Sequence, residues 1–336
     1  MNILQINTID NKGGAAKIAW QLKTNLEKSG NTTSLFVKHR YSDAPNVFVA
    51  RWPNPFSRLF KKITGKDIGS FISNKIRPFL ANDIDFFGSS RILKTKEFKK
   101  ADVIHCHNLH GNYFKLSILQ KMSKLKPVLW TLHDMWAMTP HCYNTDLPVK
   151  NNGFFECTDR KTYQEIKWPN EKYLCWKKKN IYEKSKFHVV VPCQWLKEKA
   201  EKSVLKNHPI SVIYNGIDTK KFKPEDKNIA RKKLGLPENS SIILYISPIG
   251  QSIQKGWDIA KKISEYFFQK NKEMLFVSIG EKSDGARKNQ ISVPFIYDEV
   301  TLARYYCAAD ILLFPSPRET LPLTILESLA CCPPIV

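Results

Sequence analysis

Residues 310–330 read "DILLFPSPRETLPLTILESLA", and the order of residue types in that stretch decides the fold. An unbroken apolar run, Ile311 to Phe314, gives way to prolines and a glutamate, and a helical apolar pattern follows Pro322. Unbroken rather than alternating hydrophobicity marks a strand covered on both faces. Pro322 suits the first turn of a helix, where its missing N–H leaves no bond unmade. The stretch is thus a buried strand, a loop and a helix. Glu319 stands in the loop and Glu327 on the helix.

Similar apolar runs recur along the chain: "NILQIN" at the start, "DVIHCHN" from Asp102, "PVLWTLHD" from Pro127, "FHVVVP" from Phe187, "ISVIYNGID" from Ile210, "IILYISP" from Ile242 and "MLFVSIG" from Met274. Strands of this kind with helices between them imply α/β architecture with parallel sheets, doubly wound, and twice over. A polar, lysine-rich break containing Pro224 follows "YNGID". It predicts a first domain over residues 1–218, a linker over 219–228 and a second domain over 229–336. Ligands of open α/β sheets bind beyond the carboxyl ends of the strands, so functional groups are expected in the loops that follow them, in a cleft between the domains.

The 336 residues are 42% hydrophobic, enough for two cores, and the formal net charge is +22. So basic a surface favours nucleic acid, anionic lipid or phosphorylated substrates. The eight cysteines form no regular framework, which fits a reducing cytosol. Cys142, Cys157 and Cys175 are read as loop or core cysteines, with zinc a minor alternative because their spacing is too irregular. "MNILQIN" is no signal peptide and no apolar run is long enough to span a membrane, so a cytoplasmic location is expected.

Several residues lie where chemistry belongs. Gly13 and Gly14 in "DNKGGAAKIA" either let the backbone approach an anion at a helix start or simply make a tight turn. His105, His107 and His110 end a buried strand; without a zinc-like ligand set around them, structural or polar cleft roles fit better than metal. His133 and Asp134 end another strand, as a catalytic or sugar-contacting pair would, although Asp134 could instead cap a following helix. Lys255 precedes Gly256 after the first strand of the second domain, where a cation could meet a diphosphate. Glu319, Glu327 and the helix start after Pro322 could together bind a phosphate flanked by sugar hydroxyls.

"PSPRETLPLTILESLA", with its E-x7-E spacing, "YNGIDTKKF", "QKGWD", "AADILLFPS" and "KGGAAKIA" resemble the family 4 glycosyltransferases of GT-B fold. "DVIHCHNLHGNYF" and "WTLHDMWAMTPHC" resemble their bacterial exopolysaccharide, capsule and lipopolysaccharide subset. The resemblance implies two Rossmann-like domains facing across a cleft and transfer from a UDP- or GDP-linked sugar to a glycan or lipid-linked acceptor. Configuration would be retained, with no metal or other cofactor. Carried over by position, His133, Lys255 and Glu319 become catalytic. Gly13, Gly14, Lys255, Glu319, Thr320, Leu321, Leu323 and Glu327 become donor-binding, with Glu319 on the sugar and Glu327 on the ribose.

The chain departs from the pattern. No arginine precedes Lys255 in "SPIGQSIQK", Thr320 and Pro322 replace glycines common in relatives, and "ACCPPIV" stands where relatives continue into further strands and a helix. A second domain incomplete at its C-terminus is therefore expected, and an inactive or incomplete transferase that still binds donor is one alternative. Residues 51–100 hold 12 basic and 4 acidic side chains. Within them Phe56, Leu59, Phe60 and Ile63 with Arg58, Lys61 and Lys62 form either a basic amphipathic helix for an anionic membrane face, where an acceptor lipid would be found, or a helix packed on its own domain. A nucleic-acid-binding protein is the weaker rival, since no such module is recognisable. A metal-dependent transferase using Asp83 and Asp85 is weaker still.

Overall fold

The computed structural model describes residues 1–49, 77–85, 87–157, 160, 166–247, 255–270, 273–280 and 289–336. Phe56, Arg58, Lys61 and Lys62, with the amphipathic pattern around them, lie outside the described residues. The chain divides into two compact units, 1–214 and 215–336. Phe222, within the stretch read as a linker, is buried in the core of the second unit.

The first unit is built on seven parallel strands: β1 (Asn2–Ile9), β2 (Thr32–His39), β3 (Val47–Val49), β4 (Val103–Cys106), β5 (Val128–Thr131), β6 (His188–Val191) and β7 (Ile210–Val212). Their order across the sheet is β3-β2-β1-β4-β5-β6-β7. The described α-helices of eight residues or more are α1 (Gly14–Lys28), α2 (Ile118–Leu125), α3 (Glu171–Glu183) and α4 (Gln194–Glu201). One face of the sheet, through Leu4, Ile6, Ile104, Cys106 and Trp130, packs into the main core with Leu119, Met122, Leu174 and Ile181. Because β1 neighbours both β2 and β4, the winding reverses there. That reversal opens a crevice beyond the carboxyl ends of β1 and β4.

The second unit repeats the plan with four parallel strands, β8 (Ser241–Ile246), β9 (Met274–Ile279), β10 (Gln290–Val293) and β11 (Ile311–Leu313), in the order β10-β9-β8-β11. Its helices are α5 (Lys227–Leu234), α6 (Trp257–Lys270), α7 (Glu299–Ala308) and α8 (Leu323–Cys331). Leu244, Val277 and Leu312 fill one side of this sheet with Tyr306 of α7 and Cys331 of α8. Tyr245 and Phe276 fill the other against Trp257 and Ile263 of α6. Here the reversal lies between β8 and β11. Ile335 bridges Leu312 in parallel on the outer side of β11.

All eight unbroken apolar runs are strands, and the α/β, twice-wound expectation holds. β2, β3 and β10 are strands that no such run announced. Among the described residues no helix is long and apolar enough to cross a membrane.

Candidate functional site

In the second unit, Lys255 follows the loop after β8 and Glu319 lies in the loop after β11, so the winding reversal delivers both to one place. The Lys255 ammonium pairs with Glu319 Oε1, and Ser316 Oγ donates to the same oxygen at 2.9 Å. Tyr245 OH donates to the Lys255 carbonyl at 3.2 Å, tying the lysine's backbone to β8. Gly256 adopts φ 72°, a left-handed conformation. A Cβ there would lie 2.3 Å from the Pro315 carbonyl oxygen, so only glycine lets the two loops meet.

Pro322 is the N-cap of α8 rather than its first residue, with Thr320 and Leu321 in the loop before it and Leu323 opening the helix. Asn215 Nδ2 donates to the Leu321 carbonyl at 3.2 Å. Glu327 is buried, 4% exposed, and its Oε2 accepts from Tyr306 OH at 2.9 Å. Burial, and then Glu327 beside it, push the Tyr306 phenol well above its ordinary range. Lys255 and Glu319 are thus brought together, while Glu327 sits deeper on the helix. Asn215, Ser316 and Tyr306 are polar partners that the spacing of the two glutamates did not reveal, although Asn215 stands in the quoted "YNGID".

In the first unit, α1 begins at Gly14, and Gly13 precedes it at φ 89°. A Cβ at either glycine would meet nothing within 4 Å. The requirement for glycine is therefore conformational and falls on Gly13 alone.

Beyond β4 and β5 the histidines form a stack. The His105 and His107 rings lie 4.2 Å apart and the His107 and His133 rings 5.3 Å apart. His107 Nδ1 is 3.0 Å from His133 Nε2, and His105 Nε2 is 2.8 Å from Thr131 Oγ1. Burial pushes His105 and His133 down to about 4 and also takes His107 well below its ordinary range, so all three rings are neutral at pH 7. His110 Nε2 contacts Asp134 Oδ2 at 2.8 Å, and Asp134 Oδ1 accepts the Trp136 N–H at 2.9 Å. Burial alone would raise Asp134; the adjacent His110 and these hydrogen bonds outweigh it and hold the carboxyl below its usual range. Asp134 therefore both caps the Trp136–Met138 turn and anchors His110.

Asp83 and Asp85 are held by different partners. Its Oδ2 accepts from the Trp136 indole at 2.7 Å, while Asp85 Oδ2 accepts from Tyr173 OH at 2.7 Å. Lys178, fully buried, donates to the carbonyls of Trp136 and Thr139 at 2.7 and 2.9 Å from beneath the same indole ring.

One cysteine expectation is corrected. Cys142 and Cys157 are not independent loop cysteines but a disulfide pair, their Cα atoms 5.8 Å apart. The Val149–Phe155 bridge folds the intervening loop back on itself and brings them together. Cys175 remains separate and buried. Among the described residues no group of three or more His, Cys, Asp or Glu side chains is arranged to hold a metal.

Comparison with known proteins matches both units. The profile for Glycosyltransferase Family 4 matches residues 12–221, and that for Glycosyl transferases group 1 matches residues 240–336. D-inositol 3-phosphate glycosyltransferase 2 of Catenulispora acidiphila is 30% identical over 145 residues, covering 38% of this chain and 34% of that protein. The chain covers 52% of a second such enzyme, from Corynebacterium jeikeium, so it spans about a third to a half of these relatives. The putative colanic acid biosynthesis glycosyl transferase WcaC of Escherichia coli K12 is 22% identical over 353 residues, covering 100% of this chain and 82% of WcaC. Among solved structures, sucrose-phosphate synthase from Thermosynechococcus elongatus superposes with TM-score 0.63 at 17% identity, covering 99% of this chain and 80% of that one. Anabaena HepE in complex with UDP-glucose does so with TM-score 0.56 at 14% identity, over 99% and 79%. At those identities the superpositions show the fold, two parallel-sheet α/β units of the GT-B kind. The profile over residues 12–221 covers well over half of the sequence, and on that ground the chain belongs to glycosyltransferase family 4.

Proposed function

We propose that the protein transfers a sugar, with retention of configuration, from a UDP- or GDP-linked donor to a hydroxyl of a glycan or lipid-linked acceptor in cell-surface polysaccharide synthesis. The observation that carries this reading is the meeting of Lys255 and Glu319 at the winding reversal of the second sheet. A cation and a carboxylate at that point match the two ends of a sugar diphosphate. Lys255 would leave Glu319 for the diphosphate and neutralise the charge that grows as the glycosidic bond breaks. The start of α8 would add its helix dipole. Glu319, still held by Ser316, would accept hydrogen bonds from donor-sugar hydroxyls. Glu327, whose Oε2 accepts from Tyr306 OH, would contact the ribose. Gly13 and Gly14 would line the donor phosphate and acceptor edge, and His133 would contact the sugar near the reacting carbon.

The proposed reaction needs no metal, Lys255 and the helix start stabilising the departing diphosphate; activity that survives a chelator tests this. HepE, whose structures hold UDP and UDP-glucose, and WaaG, described as involved in lipopolysaccharide biosynthesis, share the fold and are consistent with the donor class and pathway.

A surface of the first unit supports a membrane-borne acceptor at the inner face of the cell membrane. Phe79, Leu80, Trp168, Tyr173 and Trp176 are exposed. Lys167 lies over the Phe79 ring and Lys177 over Tyr173. Aromatic rings flanked by lysines suit the interface of an anionic bilayer. Flotation with anionic but not neutral vesicles is expected.

A thermal-shift panel of UDP-, GDP- and ADP-sugars tests the central reading. Selective stabilisation by one nucleotide-sugar, abolished in Lys255→Ala, is the expected outcome; silence across the panel overturns it.

A further inference from the structure

We propose that His107 is a positioning residue that fixes the tautomer of His133, holding it as a neutral ring with its proton on Nδ1. The role this gives His133 at the donor sugar rests on the reading above, but the tautomer itself does not.

His107 is immobilised from every side. Its N–H donates to the Ile6 carbonyl at 2.9 Å, and its carbonyl accepts from the Trp130 indole at 2.9 Å. Its ring is stacked between those of His105 and His133. The residue is 1% exposed, and among the described residues its Nε2 has no hydrogen-bond partner.

A neutral imidazole carries one proton, so the 3.0 Å contact between His107 Nδ1 and His133 Nε2 admits two arrangements. If His133 donated from Nε2, His107 would carry its proton on Nε2, a buried N–H with no acceptor. Buried N–H groups without a partner are the rarer defect, and each costs the full desolvation of a donor. If His107 donates from Nδ1, its only N–H is satisfied and a bare lone pair is what remains buried. The second arrangement is favoured. Protonating both rings would leave two donors facing each other with no acceptor, and burial opposes a charge on either ring.

The consequence is chemical. With its Nε2 lone pair engaged by His107, His133 is no general base through that nitrogen. Any hydrogen bond that His133 donates must come from Nδ1, the nitrogen that carries its proton.

The test is nitrogen-15 histidine NMR on the full chain without substrate, with His133 assigned by the loss of its signals in His133→Gln. The expected result is an Nδ1–H tautomer for His133 in the unaltered protein. His107→Asn, whose amide N–H replaces Nδ1–H, should retain that signature. His107→Leu, which has no donor, should lose it. An Nε2–H tautomer for His133, or one indifferent to His107→Leu in a protein that still melts cooperatively, overturns the proposal. Neither result depends on turnover, so a protein that binds no nucleotide-sugar would defeat the functional reading while leaving the tautomer assignment standing.

Discussion

Gly256 and Pro315 meet with no space for a side chain: a Cβ on Gly256 would lie 2.3 Å from the Pro315 carbonyl oxygen. One belongs to the loop after β8 and the other to the loop after β11, so this contact sets how near Lys255 comes to Glu319. Gly256→Ala combines a backbone clash with a left-handed φ. A loss of about 2–4 kcal/mol in unfolding free energy is expected. The folded fraction should also lose its thermal response to nucleotide-sugar, since the two loops must part. Normal melting with an unchanged donor response would show that the loops are not coupled in this way.

Lys255 and Glu319 should separate on donor binding, because the ammonium cannot fully serve both Glu319 and a diphosphate. Lys255→Ala is expected to lower kcat/KM by on the order of 10²–10³, the usual cost of removing one group that stabilises a developing anion. Glu319→Gln should divide binding differently. Calorimetry should find the free nucleoside diphosphate bound as well as before, or more tightly with Lys255 released, and the nucleotide-sugar bound more weakly. Equal losses for both ligands would remove Glu319 from the sugar end of the site.

The strands of the site were legible because burial on both faces leaves an unbroken apolar run, as in Ile242–Ile246 or Ile311–Leu313. β2 was hidden because its apolar run, Leu35–Val37, is only three residues long between Thr32–Ser34 and Lys38, and β10 because Gln290 and Ser292 break its apolar pattern. Lys255 and Glu319 could be assigned from their place after strands, since topology alone brings such loops together. Tyr306 could not. It lies in the last turn of α7, and its link to Glu327 exists only because α7 packs on α8. The Cys142–Cys157 pair was missed for a similar reason: the spacing shows no framework, and the loop's own hairpin creates the proximity.

Glu327 is a buried carboxylate with Tyr306 OH against Oε2. Tyr306→Phe keeps the ring, which contacts Phe222 at 6.3 Å between centroids, and removes only the donor. Leaving that oxygen short of a partner should cost about 1–3 kcal/mol, read by urea unfolding. If Glu327 also positions the ribose, KM for the donor should rise with kcat little changed. A stability loss with no change in KM would restrict the pair to a structural role.

The neutral histidine stack gives stability a defined acid limit. His105 titrates at about 4 in the folded protein against an ordinary 6.5, because burial disfavours its charged form. Between those values the unfolded chain binds a proton that the folded chain refuses, so stability rises with pH. It is fully present above 6.5 and is lost as pH falls toward 4. A depression of that size corresponds to roughly 3–4 kcal/mol for His105. His133 shifts in the same direction. Asp10, Asp134 and Asp310, whose carboxyls are held below 3.8, exert their effect in more acid solution. His105→Gln can still hydrogen-bond to Thr131 but cannot titrate. Its melting temperature should therefore fall less between pH 6.5 and 4 than that of the unaltered protein. Parallel curves for the two proteins would mean that His105 is not the group that sets the limit.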